Sequence, residues 1–260
     1  MSGVGGLQIG SCLINVHLIT KRLHGFNQVF RNIFRGLVII FLLLEQLFVN
    51  GCSFNTPNDK GRIATFTGKM IANYFKFKLK NFARGGRGNH RINTTTKLWF
   101  ETYPQRKQDT VALIEWTQAG RVDYVTNDGF KPIKECSSTW RTYHTRNILD
   151  VLPGFDDVEH ESVTVLNHIV DLQNYFKINN IKYLMYFGLP NKITNSRDCN
   201  LLRSLVDEEY FFKMDYSHFE YCQDNKTYVS RNDYHPTVAG HRRWANYLIK
   251  YMEQHDLRRT

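Results

Sequence analysis

The 260-residue chain has no Cys-x-x-Cys pair. Its five cysteines (Cys12, Cys52, Cys136, Cys199, Cys222) stand far apart and are odd in number. That argues against a disulfide framework and against a cysteine zinc site. Reduced thiols fit a cytosol-like compartment. No Gly-x-Gly-x-x-Gly follows an apolar strand and no Gly-Lys-Ser/Thr occurs, which excludes the usual nucleotide-binding loops. No repeat of solenoid length is visible. The apolar run at residues 37–44, Leu-Val-Ile-Ile-Phe-Leu-Leu-Leu, falls short of the roughly 20 residues a membrane span needs. Acidic residues are scarce in one block only. Residues 51–110 hold 12 Lys and Arg against 3 Asp and Glu, whereas residues 111–260 hold 18 against 20. Most of the net charge of +10 therefore sits in one early segment. Such a face can steer anionic partners, such as an acidic polymer, or can simply be a solvated basic surface.

With 42% apolar and 22% charged residues the composition is that of a globular protein with one sizeable core. Lys21, Arg22, Arg31 and Arg35 precede the apolar run, and Glu45 and Gln46 break it before Leu47-Phe48-Val49. We expect residues 1–44 to form a non-catalytic extension with one apolar helix, leading into a domain over 45–260. The basic-then-apolar order over 21–49 leaves membrane anchoring or secretion as the alternative to a cytoplasmic protein.

Alternation of period 2 and period 3.6 then organises the chain. Strands are expected at Glu45–Asn50, Phe75–Phe82, Val111–Trp116 and Ile181–Phe187. Helices are expected at Arg62–Tyr74, from Asn89 or Asn93 towards Tyr103, and at Glu159–Phe176, Leu201–Phe212 and Thr237–Gln254. Residues 117–156 read as one long irregular loop. Strand–helix alternation predicts a three-layer α/β fold of flavodoxin-like type, with a mainly parallel sheet flanked by helices. Ligands on such sheets bind at the carboxyl ends of the strands. The turns at Gly51, Gly85 and Thr117 all lie at such ends.

Two distant segments carry groups for nucleophilic hydrolysis. Gly51-Cys52-Ser53-Phe54 puts a serine just past an apolar strand. Asp233-Tyr234-His235-Pro236, followed by Gly240-His241, puts an acid and an imidazole near the carboxy terminus. Serine is a weak nucleophile until a base takes its proton and an acid fixes the tautomer of that base.

Together with Asn81-Phe82-Ala83-Arg84-Gly85-Gly86-Arg87-Gly88-Asn89, these blocks resemble the SGNH (GDSL-like) hydrolases, in a form similar to a branch common in phages and other viruses. The resemblance covers about residues 45–250. It implies an SGNH-type fold and hydrolysis of a carboxylic ester, with no cofactor. The substrate would be a small molecule or a glycan bearing O-acyl groups. In the implied site Ser53 is nucleophile, His235 general base and Asp233 the orienting acid. The amides of Ser53 and Gly86 form the oxyanion hole. The usual spacing would put the acid at Asn232, but asparagine cannot stabilise an imidazolium by charge. The family's third oxyanion donor, an Asn after the third strand, is missing from Ile114-Glu115-Trp116-Thr117-Gln118-Ala119-Gly120-Arg121. Thr117, Gln118, Asn89 or Arg121 stand as replacements, with Trp116, Thr117 and Arg121 as substrate contacts. Cys52 reads as a small buried residue and His241 as packing in the last helix.

Two other readings compete. Gly88-Asn89-His90 with Asp233, His235 and His241 could belong to a metal-dependent phosphoesterase, although no Gly-Asp-x-His occurs. The missing Asn also fits a non-catalytic SGNH-like protein that binds glycan or nucleic acid through its basic face.

Overall fold

The computed structural model describes residues 45–56, 65–121, 123–126, 129–132 and 158–257. The expected extension over 1–44 lies outside the described residues. Five parallel strands form the main sheet: β1 (Gln46–Asn50), β2 (Lys78–Asn81), β3 (Thr110–Trp116), β6 (Lys182–Phe187) and β7 (Phe211–Phe212). Their order is β2-β1-β3-β6-β7, which in sheet-strand count is the 2-1-3-4-5 order of doubly wound flavodoxin-like sheets. Two short antiparallel hairpins stand apart from it: β4 (Asp123–Thr126) with β5 (Gly129–Pro132), and β8 (Tyr228–Ser230) with β9 (Asp233–Pro236). The helices are α1 (Thr67–Phe75), α2 (Asn89–Thr102), α3 (Val158–Ile178), α4 (Arg197–Leu205), α5 (His218–Asp224) and α6 (Val238–Gln254). No described helix is long and apolar enough to cross a membrane.

The central strands are buried on both sides, so they read as continuous apolar runs, yet their pleat still sorts the side chains. Phe48, Ala112, Ile114, Trp116, Tyr183, Met185, Phe187 and Phe211 face one core, against Ile92 and Phe100 of α2, Leu166 and Ile169 of α3, and Cys199 of α4. Leu47, Val49, Val111, Leu113, Leu184, Tyr186 and Phe212 face the other, against Ile71 of α1, Cys222 of α5, and Trp244 and Leu248 of α6. Full burial of each large side chain contributes roughly 1.5–3 kcal/mol, so the two cores carry most of the fold's stability. The outer strand β2 alternates exposed Lys78 and Lys80 with half-buried Leu79 and Asn81. Lysines on an edge discourage pairing with a second sheet.

Several expected boundaries move. The first helix begins at Thr67, not Arg62. It runs on through Phe75, which the alternation assigns to a strand. Lys76 then takes a left-handed conformation (φ 60°), the Phe77 amide donates back to the Ala72 carbonyl at 2.8 Å, and Phe77 tucks into the core. This is a helix stop with its hydrophobic partner, so β2 starts only at Lys78. The expected helix Leu201–Phe212 is α4 ending at Leu205, followed by strand β7. Phe211 and Phe212 point to opposite cores and pair with Met185 and Tyr186. The long loop contains the β4–β5 hairpin; residues 122, 127–128 and 133–157 lie outside the described residues. Neither α5 nor β8–β9 is apparent from periodicity.

Candidate active site

Three strands of the sheet end around one buried carboxyl group, Glu115, and this sets the shape of the serine turn. Glu115 has no solvent exposure. Its Oε1 accepts from the Cys52 amide (3.1 Å) and the Cys52 thiol (2.8 Å), and its Oε2 from the Asn55 side-chain amide (2.5 Å) and the Tyr186 hydroxyl (3.0 Å). A Cβ on Gly51 would lie 2.6 Å from the Glu115 Cβ, and one on Gly188 would lie 2.6 Å from its Cγ. Glycine at the ends of β1 and β6 is what lets both strands close on this side chain. Gly51→Ala or Gly188→Ala should overpack that contact at a cost of about 1–3 kcal/mol, visible as a lower urea midpoint. An unshifted midpoint would show that the carboxyl is not clasped.

Burial raises the Glu115 pKa above the usual carboxylate range, and its four donors pull in the opposite direction. Burial, and then the nearby Glu115, push the Cys52 thiol up to about 12. Cys52 is therefore a protonated, buried hydrogen-bond donor rather than a nucleophile.

Asn50 fixes the other side of the turn. Its Oδ1 accepts from the Gly51 amide (3.0 Å), and its Nδ2 donates to the Ile92 carbonyl (3.1 Å) and to the Thr95 and Thr96 hydroxyls (2.9 Å each). Ser53 then opens a single turn of 3₁₀ helix, Ser53–Asn55, and is half-buried. The Asn55 Oδ1 accepts from the Gly68 amide at 3.0 Å, which ties the turn to the start of α1.

The glycine loop runs beside this turn. The Arg84 amide donates to the Gly51 carbonyl at 3.1 Å, and a Cβ on Gly85 would lie 3.6 Å from the Ser53 Cβ. Gly86 has φ +69° and open space where a Cβ would be, so its backbone is accessible at a position that favours glycine. Gly88 precedes α2 with no side-chain cap. Asp123 supplies the cap from another element: its Oδ2 accepts from the amides of Gly88 (2.8 Å) and Arg91 (3.2 Å). A carboxylate on a helix's first turn satisfies amides that have no partner inside the helix.

Asn89, an expected oxyanion donor or helix cap, does neither through its side chain. Its Nδ2 donates to the carbonyls of Thr117 (3.1 Å) and Gln118 (3.4 Å), and its Oδ1 accepts from the Thr117 amide (2.9 Å). It staples the end of β3 to α2. Trp116, expected as a substrate contact, has no solvent exposure and directs its Nε1 to the Met185 sulfur at 3.3 Å, so it is core. Thr117 is likewise fully buried. Arg121 is half-buried and lines a cavity of ≈ 250 Å³ between α2 and α3, together with Asn89, His90, Asp123, His160 and His168.

His235 lies in β9. Residues two apart in a strand share a face, so Asp233 meets His235 where Asn232 cannot. The Asp233 Oδ1 accepts from the His235 amide (3.1 Å) and contacts its Nδ1 at 2.6 Å. A carboxylate at Nδ1 places the ring proton there and leaves Nε2 as the basic nitrogen. Asn232 is exposed, and its amide donates to Ser230. The Phe54 ring, one residue after Ser53, packs on the His235 ring at 5.4 Å. The serine turn and the Asp-His hairpin are thus neighbours at the carboxyl edge of the sheet.

Behind them lies a histidine pair that sequence patterning does not single out as a unit. His218 has no exposure, stacks on Trp244 (4.9 Å, 6°), and meets Phe54 and His241 edge-on at 5.4 Å each. Burial drives the pKa of His218 well below its ordinary value. Burial, then the neighbouring His235, brings His241 down to about 3. Both rings are neutral and give His235 an uncharged backing. The His241 Nδ1 shares a hydrogen bond with the Thr67 hydroxyl at 3.1 Å. Among the described residues no three His, Cys, Asp or Glu side chains come together as metal ligands.

No family model matches the chain, and no curated protein matches it. Solved structures do. One is a psychrotrophic esterase, EstA, from Pseudoalteromonas sp. (11% identity, 81% of this chain and 97% of that one, TM-score 0.45). A second is an acetyl xylan esterase, Est2A, from Butyrivibrio proteoclasticus (12%, 81% and 64%, TM-score 0.43). A third is TesA (10%, 81% and 99%, TM-score 0.44). These likenesses are of backbone path, and the chemistry of the site comes from its own residues.

Proposed function

We propose that the chain is a serine esterase of SGNH type that cleaves a carboxylic ester, such as an O-acyl group on a carbohydrate. The observation that carries this reading is the Asp233–His235 pair packed, through Phe54, against the turn that bears Ser53. In the proposed reaction the Ser53 Oγ attacks the ester carbonyl while the His235 Nε2 takes its proton. Asp233 holds the Nδ1 proton and stabilises the imidazolium. The amides of Ser53 and Gly86 receive the developing oxyanion. The imidazolium then protonates the leaving alkoxide. Water, deprotonated by the same nitrogen, releases the acid from the acyl-enzyme and restores the serine.

With Asn89 occupied by Thr117, the hole has two backbone donors and no Asn side chain. Losing one such donor costs about 10²–10³ in rate, so a modest turnover number follows. The same deficit favours a second reading, an SGNH-like binding protein without turnover.

A fluorophosphonate probe distinguishes the two. The natural chain should be labelled at Ser53, and Ser53→Ala should lose the label. Equal labelling of both chains, or none of either, would remove Ser53 as nucleophile.

A further inference from the structure

The proposed base and the proposed nucleophile stand on separate pieces of structure. His235 belongs to the β8–β9 hairpin, which forms a sheet of its own. Ser53 belongs to the turn that leaves β1. Asp233 lies two residues from His235 on the same strand, so it orients the imidazole within the hairpin and not towards the serine. A two-stranded hairpin is marginally stable by itself, and this one has a register irregularity between Tyr228 and Ser230. The torsion that turns an imidazole about its own axis is soft. Among the described residues the imidazole has one hydrogen-bond partner, Asp233, and one ring neighbour, Phe54. The Phe54 and His235 rings lie 5.4 Å apart with their planes tilted by 56°, within the range of attractive aromatic pairs.

Phe54 is itself held from behind. Only 3% of it is exposed. Its ring meets His218 edge-on (5.4 Å, 89°), stacks on Phe219 (6.5 Å, 23°) and packs with Cys52 and Leu189. His218 in turn stacks on Trp244 of the core. The Phe219 amide donates to the Gly188 carbonyl at 3.1 Å, which ties the first turn of α5 to the end of β6.

Resting on the esterase reading, we infer that Phe54 is a positioning residue: anchored by His218 and Phe219, its ring holds the His235 imidazole at the turn that bears Ser53. The main sheet thereby sets the distance between base and nucleophile through Phe54, and the hydrogen bonds of the hairpin do not. Leucine would fill most of the same space but gives the imidazole no flat neighbour to lie against.

The test is a double-mutant cycle on a short-chain ester. Phe54→Leu should lower kcat by about tenfold to a hundredfold with KM little changed, since a misplacement of about 1 Å can cost 10²-fold. Phe100→Leu, which removes a buried ring from the core against α2, is the control for lost packing: its urea midpoint should fall and its kcat should not. In a His235→Ala chain, Phe54→Leu should cost nothing further, because both positions serve one function. An equal loss in both backgrounds would mean that Phe54 acts on the serine turn itself. That result, or a wild-type kcat in Phe54→Leu, overturns the inference and leaves the esterase standing. Should Phe54→Leu not fold, Phe54→Met takes its place in the same cycle. If the natural chain cleaves no ester, the esterase reading fails, and proton magnetic resonance on Ser53→Ala decides the placement by itself. The His235 ring signals, assigned by their absence from His235→Ala, should shift and broaden when Phe54→Leu removes the ring beside them. Signals that keep their position and width refute the inference.

Discussion

His235→Ala is expected to lower kcat/KM for short-chain esters by at least about 10³-fold, with the urea midpoint little changed. A positioned general base contributes roughly 10²–10⁴ by itself, and more where nucleophile and base act as a unit. The side chain is 43% exposed and packs mainly on Phe54, so its removal leaves the two cores intact. Asp233→Asn should cost about 10²–10⁴ in rate for a different reason. An asparagine amide can donate to Nδ1, which moves the ring proton to Nε2, where the base is needed. The double variant should be no slower than His235→Ala alone, because both changes disable one function. Additive losses, or wild-type rates in His235→Ala, would remove the imidazole from the mechanism.

The sheet was legible wherever a strand kept its period over five or more residues between turn signals. Val111–Trp116 and Ile181–Phe187 are within a residue of the observed β3 and β6. β7 was not legible, because two residues carry no period: Phe211-Phe212 reads equally as the end of an apolar helix. β2 was misread at its start because Lys76 takes a left-handed turn that no glycine or asparagine announces. In the candidate site, a contact between near neighbours along the chain was legible: Asp233 with His235. Groups whose partners are distant in sequence were not. Asp123 caps a helix 35 residues upstream, and Asn50 reaches Thr96. Asn89 fits a donor by composition, yet the pairing of β3 with its neighbours brings Thr117 onto its amide. The one signal available for Glu115 was a carboxylate between Ile114 and Trp116 inside an apolar strand. Such a residue must find partners from elsewhere in the fold.

That carboxylate leads to the largest expected effect on stability. Glu115→Leu should destabilise the domain by about 3–5 kcal/mol, a large share of the roughly 5–15 kcal/mol available to a folded domain. The leucine fills most of the space but accepts nothing. Among the described residues, the Cys52 amide and the Tyr186 hydroxyl would lose their only acceptor, and the Asn55 amide one of two. Each buried group left unpaired costs about 1–3 kcal/mol. Glu115→Gln keeps one acceptor oxygen and should cost less. The two variants also differ in pH response. The folded-state pKa of Glu115 lies above its unfolded value, so between the two the folded protein holds more protons. Its contribution to stability is therefore complete below the unfolded pKa, near 4.3, and is lost as pH rises through the folded value. The stability of the natural chain relative to Glu115→Gln should accordingly fall with rising pH over that window. Urea titrations of both chains at a series of pH values measure this directly. A difference that is flat, or that grows with pH, would mean that the buried acid is held by its donors as a carboxylate rather than forced towards neutrality by its surroundings. A Glu115→Leu chain as stable as the natural one would mean that the serine turn is held by Asn50 and its glycines alone.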